Sequence, residues 1–333
     1  MMGSKSRMQG KAAQKSGTES QSDVGIDVCQ SWLDVHVLPE GQELRVSNTT
    51  EGIRKLKRWL KQFDIAIVAV EATGKWHRLV CRSLAASGIQ VAVTDPYRVR
   101  CFAKASGVAA KTDRLDARVL AMSARLMKPE IRALPPEFIE KLRELVVARD
   151  HAVATVTALK NQVQAAADSF LIGQLTKEIM RAEKYVDKLD AEIMKRIKAD
   201  PVLKRRYEIL TSVPGVGDVT AMTLIAHFDE LGTCSAKQIG SLAGLAPRAN
   251  ESGQMMGKRE IAGGRAIVRK ALYLAALTAS RLIAAYKGLS DRIKAKGSCA
   301  KVALVAVARK LAVLLNSLVA GDRLWAQSPQ KTA

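Results

Sequence analysis

Hydrophobic positions change period along this chain, and each change predicts a different kind of element. Residues 24–29 form a short apolar run with Asp27 inside it. Trp32, Asp34 and His36 then alternate with Leu33, Val35 and Val37, the period-two pattern of a strand. Residues 42–47 read as a third strand. Asn48, Thr49, Thr50 and Glu51 supply helix-start chemistry, and the helix is expected to run to about Phe63. Residues 65–70 are a continuous run rich in β-branched side chains, a buried strand with Glu71 at its end. Residues 74–86 read as helix and 89–94 as strand, followed by a helical region that carries Asp113 and Asp116. A three-strand meander followed by β-α-β predicts a mixed α/β sheet.

The next segment obeys a helical period. Phe138, Leu142, Leu145, Arg149, Ala152, Val156, Leu159, Val163, Ala166 and Phe170 follow one another at steps of four and three, with Arg149 the single polar break. The pattern resumes at Leu175, Ile179, Ala182, Val186, Leu189 and Ile193, so two helices joined near Gly173 are expected. They form either a coiled-coil hairpin or dimer seam, or an ordinary amphipathic pair. Pro201 closes the segment. Residues 207–320 are predicted helical, with turns at Pro214-Gly215, Gly232, Gly253 and Gly263-Gly264. The resulting division is a flexible basic tail over 1–23, an α/β domain over 24–132, a helical connector over 135–200 and an all-α region over 201–325.

Composition sharpens this picture. Of 333 residues, 48% are apolar but only 4% aromatic, so the core is aliphatic and favours helix over a β-sandwich. Fifty-three Lys and Arg against 32 Asp and Glu leave a net charge of +21, which makes a polyanion, nucleic acid first, the expected partner. The excess gathers late: residues 245–270 hold six basic and two acidic side chains, and residues 281–310 hold eight and one. Five dispersed cysteines without a C-x-x-C pair exclude a disulfide scaffold and a zinc finger, and fit reduced thiols in a cytoplasmic protein. The opening residues lack the apolar core of a signal peptide. The apolar stretch 302–319 is interrupted by Arg309 and Lys310, so no membrane partner is expected.

Three groups of residues carry candidate chemistry. Asp27 sits mid-strand in an apolar run, where an unpaired carboxylate would be costly. Glu71 projects from a strand end, and Asp113 and Asp116, three apart, share a helix face. Four such carboxylates suit a one- or two-metal Mg²⁺ site for phosphoryl transfer, since hard oxygen ligands hold Mg²⁺. The plainer reading has Glu71 capping a helix and the aspartates pairing with neighbouring arginines. Second, Val213-Pro-Gly215-Val-Gly217 opens a helix and resembles a helix-hairpin-helix, whose amides contact DNA phosphate; a tight turn between packed helices explains it equally well. Third, Ser252 lies in a polar loop among Arg248, Lys258, Arg259 and Arg265, with Arg269 and Lys270 just beyond. A hydroxyl among cations could attack a phosphodiester, or simply stand near phosphate.

Taken in order, Val-Gly-Ile-Asp27-Val, Val-Glu71-Ala-Thr-Gly, Lys-Thr-Asp113-Arg-Leu-Asp116-Ala, Val-Pro-Gly-Val-Gly and Ala-Gly-Leu-Ala-Pro-Arg…Glu-Ser252-Gly resemble the DEDD transposases of the bridge-RNA-guided insertion sequences, a family that includes Piv/MooV-type site-specific DNA invertases. The resemblance spans roughly residues 23–320. It implies an N-terminal RuvC-like domain of the RNase H fold, a coiled-coil connector and a C-terminal transposase domain. It further implies that Asp27, Glu71, Asp113 and Asp116 bind Mg²⁺ and that Ser252 is the nucleophile of a transient 5′-phosphoserine link to DNA. The expected partners are donor and target DNA, a structured bridge RNA, and further copies of the chain. In such a dimer or tetramer the acids of one subunit meet the serine of another. Base pairing by the RNA would then carry sequence choice and leave the protein to hold backbone charge. Three competing readings are a Piv-type invertase, a metal-dependent nuclease for branched DNA, and a non-enzymatic architectural DNA-binding protein.

Overall fold

The computed structural model describes residues 21–107, 113–249, 251–252, 255–257 and 259–325. They fall into two compact units divided between Leu134 and Pro135. Most of the stretch read as a basic tail lies outside the described residues, and the first strand already begins at Ser22.

The first unit contains β1 (Ser22–Val28), β2 (Trp32–Leu38), β3 (Gln42–Ser47), α1 (Thr50–Leu60), β4 (Ile65–Glu71), α2 (His77–Ala85), β5 (Val91–Thr94), α3 (Pro96–Ala105) and α4 (Asp113–Met127). The sheet order is β3-β2-β1-β4-β5. The meander is antiparallel, whereas β1, β4 and β5 run parallel. The mixed α/β sheet expected from the sequence is therefore present. Local chemistry sets the helix starts. The Thr49 hydroxyl accepts the Gly52 amide at 3.2 Å, and the Asp95 carboxylate accepts the Tyr97 amide at 2.7 Å just before Pro96. α1 ends at Leu60, three residues earlier than its pattern predicts, because Gln62 and Phe63 close with turn bonds to Trp59 and Leu60.

The two faces of this sheet are packed differently. On one, Val24, Ile26, Val68 and Val70 meet Ile53, Leu56, Val80 and Leu84 of α1 and α2. On the other, Ile67, Ala69 and Ala92 meet Ala124 of α4. Small residues let α4 lie almost on the strands. A Cβ at Gly25 would fall 2.0 Å from the Ala117 carbonyl oxygen and 2.4 Å from the Ala121 nitrogen. Arg125 in the last turn of α4 and Lys128 just past its end act on Asp23 at the start of β1. The helix thus runs antiparallel to β1, and its first turn lies toward the carboxyl end of that strand.

The second unit begins with α5 (Glu137–Ala165) and α6 (Ser169–Ala199), a long antiparallel hairpin. The expected joint at Gly173 is corrected: the chain turns at residues 166–168 and Gly173 lies inside α6. The signal was Asp168, whose carboxylate caps α6 by accepting the Leu171 amide at 2.9 Å. Two helices cannot enclose their own seam, so Val156, Leu159, Val163, Leu175, Ile179, Ala182 and Val186 are half-buried while their neighbours are exposed. Near its base the hairpin enters the main core through Leu142, Val146, Ile193 and Ile197. Arg149, the polar break, forms a bidentate ion pair with Asp190 of α6.

Beyond it come α7 (Pro201–Thr211), α8 (Asp218–His227) and α9 (Ala236–Leu242). A loop region follows with β6 (Pro247–Arg248), β7 (Glu251–Ser252), β8 (Met255–Met256) and β9 (Glu260–Ile261). α10 (Ala266–Leu282), α11 (Ala284–Ala295) and α12 (Ala300–Ala320) complete the unit. The four two-residue strands interrupt a region read as helices and turns. α12 is long and apolar enough to cross a membrane, but Val307, Leu311, Leu315 and Leu318 lie in the core of this unit.

Candidate functional site

Sheet register brings two of the predicted acids together. Ile26 of β1 pairs with Val70 of β4, and Asp27 and Glu71 are the next residues on these parallel strands. Their parity is that of Gly25 and Ala69, which face α4. The first turn of α4, with Asp113 and Asp116, lies toward the same strand end. Asp27, Glu71 and Asp116 are half-buried. One Asp27 oxygen accepts the Val28 amide at 2.9 Å. The side chain of Asp113 lies outside the described residues, among which no three Asp, Glu, His or Cys side chains are close enough to hold an ion. The donor set nevertheless suits a hard divalent cation, because all its ligand atoms are carboxylate oxygens. Sequence reading missed His77. Its Nδ1 accepts the Thr73 amide at 3.1 Å just past Glu71, which leaves the ring proton on Nε2.

Ser252 lies in the other unit, exposed on β7, with Met255 of β8 as its register partner. The strands β6 and β9 pair beneath this tip through Pro247–Ile261 and Arg248–Glu260. The base is fastened further by the Arg265 amide, which donates to the Leu242 carbonyl at 2.9 Å. Arg269 Nη1 donates to the Gly263 carbonyl at 2.7 Å and reaches the Gly244 carbonyl at 3.5 Å. Arg269 thus joins the two ends of the serine-bearing loop. Arg248 and Arg259 are exposed, and Lys258 lies outside the described residues.

Arg265 and Lys270, both read as nucleic-acid contacts, have protein partners. Arg265 grips Glu230 through Nη1 and Nη2, at 2.5 and 2.6 Å, and Nη1 also donates to the His227 carbonyl at 3.1 Å. The Glu230 bond holds this guanidinium more firmly charged than usual. Lys270 Nζ lies 3.4 Å from Asp150 of α5. Nearby, Arg143 of α5 pairs with Asp229 and donates to the Ala226 carbonyl. Contacts between residues so far apart in sequence leave no periodic trace, so Glu230, Asp229 and Arg143 carry no sequence signal of this cluster.

His227 sits inside this group. Its Nε2 is buried without a hydrogen-bond partner among the described residues. Burial first, then the charges of Arg143 and Arg265, push its pKa down to about 4, against the opposite pull of Asp229 and Asp150. The unfolded chain binds this proton more readily, so the stability at stake is full above about pH 6.5 and is lost as pH falls toward 4. Denaturant melts between pH 7 and 4.5 should show a steeper loss for wild type than for His227→Gln. Parallel curves would remove His227 as the cause.

The hairpin glycines have distinct tasks. Gly215 has φ +96°, and a Cβ there would fall 2.6 Å from the Ala279 nitrogen of α10, so this turn is set by packing. Gly217 is the exposed N-cap of α8. Asp218 follows in the first turn and accepts the Tyr207 hydroxyl at 2.7 Å. Burial and this bond push the Tyr207 phenol up to about 12. The carboxylate also occupies the positive helix end that a phosphate would use.

Comparison with known families matches residues 24–172 to the DEDD transposase profile of the IS110 type and residues 207–295 to the profile described as "Transposase IS116/IS110/IS902 family". The pilin gene-inverting protein of Moraxella bovis is 26% identical over 315 residues, 91% of this chain and 97% of that protein. Its counterpart in Moraxella lacunata is also 26% identical, over the same shares. The insertion element IS900 uncharacterized 42 kDa protein of Mycobacterium paratuberculosis is 31% identical over 144 residues, 42% of this chain and 35% of that protein. Two profiles of one family in chain order, joined by gene-inverting relatives of nearly equal length, place this chain in the IS110/Piv-like family of DEDD transposases, as a DNA transposase or recombinase.

Proposed function

We propose that this transposase moves an insertion sequence by RNA-guided, metal-dependent strand exchange, with Ser252 as the nucleophile and Asp27, Glu71, Asp113 and Asp116 as the metal-binding tetrad. The observation that carries the reading is the convergence of Asp27 and Glu71 on adjacent parallel strand ends, toward which the first turn of α4 runs. The strand order, three antiparallel and then two parallel, supports a RuvC-like domain of the RNase H fold. The half-buried α5–α6 seam supports a coiled-coil connector over 135–200, ahead of a transposase domain over 201–325.

DEDD transposases depend on divalent metal as a class. Mg²⁺ held by these oxygens would stabilise charge on the attacking and leaving oxygens. The chain's residues perform the rest. Ser252 Oγ forms a bond to the scissile phosphorus and loses its proton to a carboxylate of the tetrad. The bond to the 3′ oxygen breaks, that oxygen takes up a proton, and the 5′ end remains on the serine. The exposure of Ser252 on a short β arm lets DNA approach it. The tetrad of one subunit would serve the serine of another within a homo-oligomer acting on DNA in the cytoplasm. With sequence choice assigned to a bridge RNA, the diffuse charge of +21 serves backbone binding.

A second reading, site-specific inversion, is favoured by the near full-length similarity to the pilin gene-inverting proteins. The test combines the protein, RNA transcribed from the flanking DNA, Mg²⁺ and labelled donor and target DNA on a denaturing gel. An adduct lost with Ser252→Ala and with Asp116→Asn is expected. Retention of the adduct by Ser252→Ala would overturn the nucleophile. Cleavage without an adduct would leave a metal nuclease, and recombination without RNA between inverted sites would favour the invertase.

A further inference from the structure

A cleft of about 340 Å³ opens between α10, α11 and the start of α12. That size lies at the lower end of the roughly 300–1,000 Å³ typical of ligand sites. Its walls include Arg281, Lys287 and Lys294, with Asp291 the single lining carboxylate. Asp291 stands 4.0 Å from Lys294, and one carboxylate offsets one of the three positive charges. Two further features point the same way. Ser290 lines the cleft at 4% exposure, and no hydrogen bond of its hydroxyl is seen among the described residues. Ala300, also in the wall, begins α12, whose N-cap Cys299 makes no side-chain cap bond and whose first turn holds no acid. The positive end of a 21-residue helix therefore meets three cations and the Ser290 hydroxyl.

The chemistry selects an anion with an oxygen able to accept from Ser290. Leu277 and Leu304 supply the remaining apolar wall, and no aromatic ring lines the cleft among the described residues. Base stacking is thus not provided for, whereas a phosphate with its sugar fits. Along α10, Arg265 beside the serine loop and Arg281 in the cleft are sixteen residues apart, about 24 Å at 1.5 Å per residue.

We propose that this cleft grips a backbone phosphodiester of the bound nucleic acid, an anchor remote from Ser252 that the charge excess of residues 281–310 serves. It does not depend on Ser252 being the nucleophile. DNA and RNA share this group, so both are tested. Full-length protein carrying Lys287→Gln and Lys294→Gln is titrated by fluorescence anisotropy against a labelled DNA duplex and a labelled RNA hairpin at several salt concentrations. The control carries Lys184→Gln and Lys188→Gln, an equal charge loss on exposed α6 positions. For at least one nucleic acid, the cleft variant should weaken binding about tenfold and lower the salt slope by about 1 to 2, well beyond the control. Loss with DNA alone assigns the cleft to DNA, and loss with RNA alone to RNA. Ser290→Ala should weaken binding a few-fold without changing the slope. Equal losses in cleft variant and control, or none in the cleft variant, would overturn the proposal.

Discussion

Gly25→Ala is expected to lower the melting temperature of the first unit by at least about 10 °C and to abolish metal-dependent cleavage. The added Cβ would stand 2.0 Å from the Ala117 carbonyl and 2.4 Å from the Ala121 nitrogen. Both are backbone atoms of one rigid helix, so no rotamer relieves the clash. The helix must lift, and the contacts of Ala124 with Ile67, Ala69 and Ala92 open with it. Overpacking alone costs about 1–3 kcal/mol, and loss of the shared alanine contacts adds to that. Against a typical margin of about 5–15 kcal/mol, this is a large fraction. The same displacement moves the turn bearing Asp116 away from Asp27 and Glu71. Thermal melts of the full chain read the first effect and cleavage assays the second. An unchanged melt would mean that α4 does not approach β1 so closely.

The second large effect is expected at Arg269. Its guanidinium spans two carbonyls, at 2.7 Å on Gly263 and 3.5 Å on Gly244. Both contacts come from Nη1, and a lysine keeps the charge but ends one bond short of that nitrogen and lacks the rigid guanidinium plane that holds it between the two carbonyls. Arg269→Lys should therefore slow protein–DNA adduct formation by roughly ten- to a hundredfold while nucleic-acid affinity and its salt slope stay near wild type. Amide exchange over residues 245–262 should rise, even in the absence of DNA. Were Arg269 a direct phosphate contact, the lysine would preserve adduct formation, whereas Arg269→Ala would reduce the salt slope. The exchange measurement also stands apart from the identity of the nucleophile: it reports the loop whether or not Ser252 reacts.

The legible and illegible parts of this molecule divide by how far apart in sequence their causes lie. Alternation at 32–37 and the run at 65–70 announce β2 and β4 because both are local patterns, although the polar positions Asp34 and His36 of β2 are buried as well, paired with Arg45 and Glu43 of β3. Asp27 and Glu71 could be singled out for the same reason: polar groups closing apolar strands stand out against their surroundings. Their adjacency could not be read, since it follows from β1 pairing with β4 across the intervening β2, β3 and α1. The strands β6 to β9 have two residues each, too few to carry a period. Gly173 misled because glycine is a frequent helix breaker, yet it lies exposed in the second turn of α6, where its intrinsic cost is only about 1 kcal/mol. Arg269 attracted attention as a cation, while its partners are backbone carbonyls that no side-chain pattern records.

The α5–α6 hairpin has one more property, a length that can be altered in whole units. Its turn at 166–168 is largely exposed, and its alignment is pinned near the base by Arg149 and Asp190. Seven residues inserted into each arm on the turn side of that pair would keep seam and alignment while moving the tip outward by about 10 Å. The hairpin can therefore serve as a ruler graduated in heptads. Recombinases of graded reach could be built from this chain without touching either the acids or the serine.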